Sequence, residues 1–246
     1  MSCHHQVLFA LGGSTNGVLH LLALAREADV PLDVRDFNHM GARVPLLGNL
    51  TPGGRYNMVD LGPVGGIPAV MAELARHGLL DEGALTVSGA TVGENLAAAA
   101  ALPGAYGAVN PPGAVPGTAG HQDVLFPVDA PVAPPGRHIS VLTGSLAPGS
   151  AVIKLSGKDI LSFRGPARVF DSEGAAHAAI NGTTAPGGAA GGPAGGPAGQ
   201  PRIVAGDVVV IRYEGPRGAP VRRLSLPAAR GSRLAARLPR RLGLSF

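Results

Sequence analysis

The residue types best suited to chemistry sit together at Gly12-Gly13-Ser14-Thr15-Asn16, between the apolar run that ends at Leu11 and the apolar segment that starts at Val18. Two adjacent glycines permit a sharp turn and a close backbone approach. Ser14, Thr15 or Asn16 can cap a following helix by accepting its free N–H groups. Those groups and the helix dipole favour negative charge. Such a turn suits a carboxylate, a phosphate or the surroundings of a metal cluster. It also serves as a plain capped turn with no ligand. It is not a Walker A loop, because no Gly-Lys-Ser/Thr follows, and it lacks the G-x-G-x-x-G spacing of dinucleotide sites.

Other reactive side chains are sparse. Cys3 is the single cysteine. This excludes an internal disulfide framework and a zinc or Fe–S site built from several cysteines of this chain. His4 and His5 are adjacent, so their rings point in different directions and chelate poorly. Residues 1–6 are expected to be a disordered end. His20 lies alone in an apolar stretch and is expected to be a packed core residue. Asp60 and Asp207 are expected to be structural acids.

Val18, Leu21, Leu22 and Ala25 share one face of a helix over 16–28. Asp36 is expected to cap a short helix over 37–42. Tyr56 to Leu61 and Leu85 to Ser88 are short strand candidates. Gly65-Gly66-Ile67-Pro68 repeats the grammar of the first turn and leads into a helix over Ala69–His77. Thr91 and Glu94 have capping-box spacing for a helix from Val92 to about Ala101. Residues 103–137 are rich in Pro and Gly and read as a connection. Beyond it, strands are expected at Ile139–Leu142, Ala151–Leu155, Ala167–Phe170 and Val208–Tyr213, with a helix over Glu173–Ile180 capped by Asp171 or Ser172. Residues 182–200 are a low-complexity insertion of Gly, Ala and Pro. The implied class is α/β: a layered, partial N-terminal domain over 1–102, a β-rich domain over 138–218 and an Arg-rich tail over 219–246.

Charge is unevenly placed. The whole chain carries +4, yet eight Arg and no Asp or Glu lie between Arg217 and Phe246. The body before Arg217 is therefore net acidic, which argues against a general nucleic-acid role. No run of 18 apolar residues exists, so no membrane span is expected, and the N-terminus lacks a signal-peptide pattern. Cytoplasm is the expected location.

A series of blocks then stands out in order: Gly12 to Leu21, Phe37-Asn38, Arg43-Val44-Pro45, Gly54-Arg55-Tyr56, Gly65 to Met71, Glu94-Asn95-Leu96, Phe163 to Phe170, and Gly206 to Pro216. Together they resemble the dihydroxy-acid dehydratase and phosphogluconate dehydratase family over about residues 7–218, closer to the dihydroxy-acid branch. The resemblance implies removal of water from a 2,3-dihydroxy acid to give a 2-keto acid, as in branched-chain amino-acid biosynthesis. It implies an Fe–S cluster acting as Lewis acid on the leaving C3 hydroxyl, Mg²⁺ holding the substrate and a serine alkoxide as base. It also implies a barrel-like C-terminal domain and a homodimer.

The family's catalytic parts find no counterpart in these residues. Its three cluster cysteines, its acidic Mg²⁺ ligands and a modified lysine precede the glycine block, and Cys3 matches none of the cysteine motifs. Arg222-Arg223-Leu224 stands about where a metal-binding glutamate is expected, and no Gly-Arg-Phe-Ser base motif follows. Glu214 belongs to a different block, and Ser225 and Ser232 do not sit in the base motif. This chain is therefore expected to be an inactive fragment that binds neither cofactor. Gly12, Gly13, Ser14, Thr15 and Asn16 remain as residues near substrate or cofactor, with Gly65 and Gly66 as weaker candidates. Two alternatives stay open: a dehydratase of aldonic or phosphorylated sugar acids, and a non-enzymatic module whose basic tail binds polyanions. A shifted reading frame would also produce such a tail.

Overall fold

A computed structural model describes residues 2–101, 122–157, 162–181, 203–213 and 244–245. The expected insertion at 182–200, most of the connection and nearly all of the Arg-rich tail lie outside the described residues, as do Glu214 and the Cys3 side chain. Two compact units are present, residues 1–159 with 242–246, and residues 160–241.

The first unit opens with helix α1 (Ser2–Ala10), where a disordered end was expected. Burial explains the difference. His5 is 1% exposed and meets the Phe37 ring edge-on at 4.7 Å, and Phe9 and Ala10 enter the core. Helix α2 (Asn16–Glu27) buries Val18, Leu21 and Ala25 as its periodicity predicts. His20 is exposed on the opposite side, so it is not a core residue. Helix α3 (Asp36–Gly41) follows, with Phe37 buried. Asp36 does not cap it, because its carboxylate instead accepts the backbone N–H of Asp33 at 2.7 Å.

The expected strand at Tyr56–Leu61 is a correction. Only Tyr56 forms an isolated bridge, with Leu50, and Met58–Leu61 is the short helix α4. The Asp60 carboxylate accepts the Asn57 N–H at 2.7 Å, which stabilises the start of a helix and not a strand. A 3₁₀ turn (Gly62–Val64) leads to α5 (Gly66–Arg76). On α5, buried Glu73 accepts the Val128 N–H at 2.9 Å and pairs with Arg76 at 3.0 Å. The Leu85–Ser88 strand is also replaced. Leu85 bridges Thr91 once, and Thr86, Ser88 and Asn95 tie the segment into a polar loop. Helix α6 (Val92–Ala100) starts at the predicted capping box: Glu94 N–H donates to Thr91 Oγ1 at 3.2 Å and Thr91 N–H to Glu94 Oε2 at 2.7 Å. That backbone bond holds the Glu94 carboxyl below its ordinary range.

Strands β1 (Ile139–Gly144) and β2 (Ala147–Lys154) pair antiparallel, with Ile139 opposite Lys154, and β2 also pairs with β5 (Leu244–Ser245). The stretch before β1 packs on the same unit through bridges Leu46–Ala133 and Gly48–Leu125. Phe9, Phe37, Leu47, Leu61, Leu74, Leu125 and Ile139 fill one core. Each such side chain contributes about 1.5–3 kcal/mol on burial.

The second unit joins β3 (Ala167–Phe170) and β4 (Val208–Ile211) in parallel register beside α7 (Glu173–Asn181). Ser172 Oγ accepts the Ala175 N–H at 3.2 Å, as a cap should. Phe170, Ala176, Ala179 and Ile203 form its small core. Buried Asp207 pairs with Arg168 at 3.0 Å, so it is a structural acid.

The architecture is thus mixed α/β with small sheets. No closed barrel forms among the described residues, because one sheet has three strands and the other two. No single helix among them is long and apolar enough to cross a membrane.

Candidate functional site

The glycine turn is the C-terminal end of α1. Gly12 has φ +68°, its N–H reaches Phe9 O at 3.2 Å, and the Gly13 N–H reaches Leu8 O at 2.9 Å. This pair of bonds closes a helix with a left-handed residue, a role glycine fills without a Cβ penalty. Gly13 is needed for a different reason. A Cβ there would stand 2.2 Å from Leu8 Cδ1.

The polar residues do not cap α2 in the expected way. Thr15 precedes the helix but makes no side-chain cap bond. Ser14 Oγ accepts the Asn16 N–H at 3.2 Å, the Gly17 N–H goes to Ser14 O at 2.9 Å and the Val18 N–H to Thr15 O at 3.1 Å. The first N–H groups of α2 are therefore already engaged.

Two side chains from far along the sequence grip the turn. Lys154, at the end of β2, donates from Nζ to Gly12 O at 3.1 Å. His138, just before β1, lies 3.1 Å from Gly13 O through Nε2. A carbonyl only accepts, so Nε2 carries the hydrogen and Nδ1 of the neutral ring holds the lone pair. Nδ1 is buried and has no hydrogen-bond partner among the described residues. Burial, offset in part by the Gly13 carbonyl and reinforced by Lys154, lowers the His138 pKa to about 4. Burial also lowers that of Lys154.

Gly12, His138 and Lys154 share a small hollow with Gly53, Gly54 and Ser156. Close to Gly54, Tyr56 Oη donates to Asp123, and Arg55 pairs with the same carboxylate at 3.2 Å. The Asp123 bond raises the Tyr56 pKa. The hollow therefore offers a cationic donor and a neutral imidazole between walls of glycine and of the apolar side chains Leu46, Leu50 and Val132.

Of the residues singled out from sequence, Gly12 lines this hollow, and Gly13 adjoins it through its carbonyl bond to His138. Ser14, Thr15 and Asn16 serve the turn into α2. Gly65 and Gly66 lie at the start of α5 and are not among the lining residues. Sequence reasoning missed His138 and Lys154, which lie 125 and 142 residues from their partners. One signal was available: the chain has only two lysines, and Lys154 ends an alternating strand.

The implied cofactors do not fit these residues. Among the described residues no three His, Cys, Asp or Glu side chains converge on one point. The polar side chains at the hollow are an ammonium, an imidazole and the Ser156 hydroxyl, and the set contains neither the thiolates of a cluster nor the carboxylates that hold Mg²⁺.

Comparison with known proteins gives a consistent picture. Residues 5–95 match the dihydroxy-acid/6-phosphogluconate dehydratase N-terminal model, and residues 123–233 match the corresponding C-terminal model. The second match enters the Arg-rich stretch. The chain is 46% identical over 214 residues to a dihydroxy-acid dehydratase of Renibacterium salmoninarum, covering 87% of this chain and 31% of that protein. It is 43% identical over 214 residues to one of Methylococcus capsulatus and 39% identical over 215 to one of Cytophaga hutchinsonii, covering 87% of this chain and 32% of each. The chain thus spans about a third of the length of the curated relatives it matches. With both halves matched in order, and the glycine turn of the first held by the hairpin of the second, the chain belongs to the dihydroxy-acid/6-phosphogluconate dehydratase family, a family of hydro-lyases.

Proposed function

We propose that this chain is part of a hydro-lyase that converts a 2,3-dihydroxy carboxylic acid to a 2-keto acid, the dihydroxy-acid dehydratase step of branched-chain amino-acid biosynthesis. The observation that carries this is the ordered match of residues 5–95 and 123–233 to the two halves of one dehydratase family. The names of the relatives favour the dihydroxy-acid branch over sugar acids. The turn Gly12–Asn16 lies near the substrate in this reading, because Gly12 borders a hollow lined by the Lys154 side chain.

In the whole enzyme an Fe–S cluster supplies Lewis acidity and Mg²⁺ holds the acid. Both are held by residues other than those described here, since the donor set at the hollow suits neither. The second unit, with its parallel strands, is part of a larger barrel-like domain, and the enzyme works as a cytoplasmic homodimer. This chain alone turns over no dihydroxy acid.

A chimera tests the function. Residues 5–213 replace the matching segment of the Renibacterium salmoninarum relative, and 2-keto acid formation is measured after anaerobic cluster reconstitution. Turnover of a branched 2,3-dihydroxy acid is expected. A folded, cluster-loaded chimera that turns over only sugar acids, or nothing, would falsify the reading. Turnover by the unmodified chain would overturn its assignment as an incomplete enzyme.

A further inference from the structure

The stretch from Met58 to Pro68 shows solvent only apolar side chains. Met58 is 55% exposed, Val59 75% and Ile67 37%, and Pro63 and Pro68 are exposed as well. The one charged residue of the stretch, Asp60, turns its carboxylate to the Asn57 N–H. This ridge is firmly built. Leu61, Ala69 and Val70 anchor its inner side in the core, and the Gly65 N–H donates to Gly62 O at 3.0 Å where the 3₁₀ turn meets α5. A pre-ordered apolar surface marks a docking site and loses little entropy when it is covered.

Two facts indicate the occupant. Residues 5–95 match the N-terminal family model, so the ridge belongs to that half, and the chain spans about a third of the length of its relatives. By the resemblance, the rest of that half precedes the glycine turn and carries the cluster cysteines. Ile67 and Pro68 lie in the Gly65 to Met71 block on which the resemblance rests, so the family presents the same apolar side chains there. We propose that the ridge is the docking face for that preceding portion of a family dehydratase. A second copy of this chain fits less well, because five side chains on one short stretch fall short of the roughly 20–30 residues a side of a stable dimer. A portion tethered in the same polypeptide, as in the relatives, docks on a smaller face. The docking face rests on family membership and not on which acid is dehydrated.

The test is photo-crosslinking from position 59, with Val59 replaced by p-benzoylphenylalanine. The Renibacterium salmoninarum chimera, this chain mixed with the purified preceding portion of that relative, and this chain alone are irradiated in parallel. Peptide mapping is expected to place adducts on the preceding portion, at monomer mass in the chimera and in lower yield in the mixture. Ile67→Glu is expected to lower the yield by about tenfold and Ile67→Leu to keep it. No adduct to that portion in either sample overturns the docking face. So does an adduct within this chain alone, which shows that its own residues cover the ridge, or a band of twice the mass, which gives the face to a second copy. Co-sedimentation of this chain with phosphatidylglycerol vesicles, abolished by Ile67→Glu, gives it to a membrane surface and overturns it too. An active chimera without the adduct sinks the docking face and leaves the function standing; the adduct in a chimera that turns over no dihydroxy acid does the reverse.

Discussion

Two glycine turns with the same local grammar, Gly12-Gly13 before α2 and Gly65-Gly66 before α5, are built for different reasons. The first is gripped. Lys154 and His138 hold its two carbonyls, and added Cβ atoms would meet Leu46 at 3.0 Å from Gly12 and Leu8 at 2.2 Å from Gly13. The second is open. Gly66 has φ +62°, and a Cβ there would find nothing closer than Pro68 Cδ at 3.6 Å. Glycine at the first turn serves backbone conformation at Gly12, close packing and a long-range latch; at Gly66 it serves backbone conformation alone.

Acid should separate the two most strongly. His138 titrates at about 4 in the folded chain, against 6.5 for an unperturbed imidazole. Between those values the unfolded state binds more protons, so stability falls as pH drops from 6.5 towards 4 and is flat above 6.5. The full cost is about 3 kcal/mol. Urea midpoints of the wild type and His138→Gln measured from pH 7 to 4 check this. Parallel curves would remove the latch from the account.

Packing comes next. Gly13→Ala is expected to cost about 2 kcal/mol, because Leu8 must move. A double-mutant cycle with Leu8→Ala should recover part of that loss, and strict additivity would show that the two do not clash. Gly66→Ala should cost only the backbone strain, about 1 kcal/mol, with no coupling to neighbours. A loss as large as that of Gly13→Ala would erase the contrast. Smallest of all, Thr15→Ala should leave stability within about 0.5 kcal/mol, since Thr15 makes no cap bond. Thr91→Ala, which breaks a complete capping box, should cost about 1 kcal/mol. Equal losses at the two threonines would mean that Thr15 caps α2 in solution.

This contrast also shows where the sequence was informative. Helices α2, α5 and α6 and strands β1 to β4 were legible because periodicity, caps and β-branched runs are local. Helix α1 was missed because two adjacent histidines suggested a polar end, while the packing of His5 against Phe37 depends on residues 32 positions apart. Tyr56–Leu61 was misread because one bond, Asp60 to Asn57, decided its conformation. At the site, the glycine turn announced itself through composition. Its partners did not, since a lysine ending one strand and a histidine before another carry no mark of the carbonyls they will meet. The family resemblance supplied the chemistry, and the structure supplied the two side chains that grip the turn.

Helix α3 covers part of the free edge of β1. Asn38 donates from Nδ2 to Val141 O at 2.8 Å, and the Val141 N–H donates to Asn38 Oδ1 at 2.7 Å. Strand β1 lies at the margin of its sheet, so its outer backbone groups could template another chain. A single amide imitates one residue of a neighbouring strand and occupies both groups at once. The sheet thus ends against its own helix, and a stray strand from another molecule finds that position already taken.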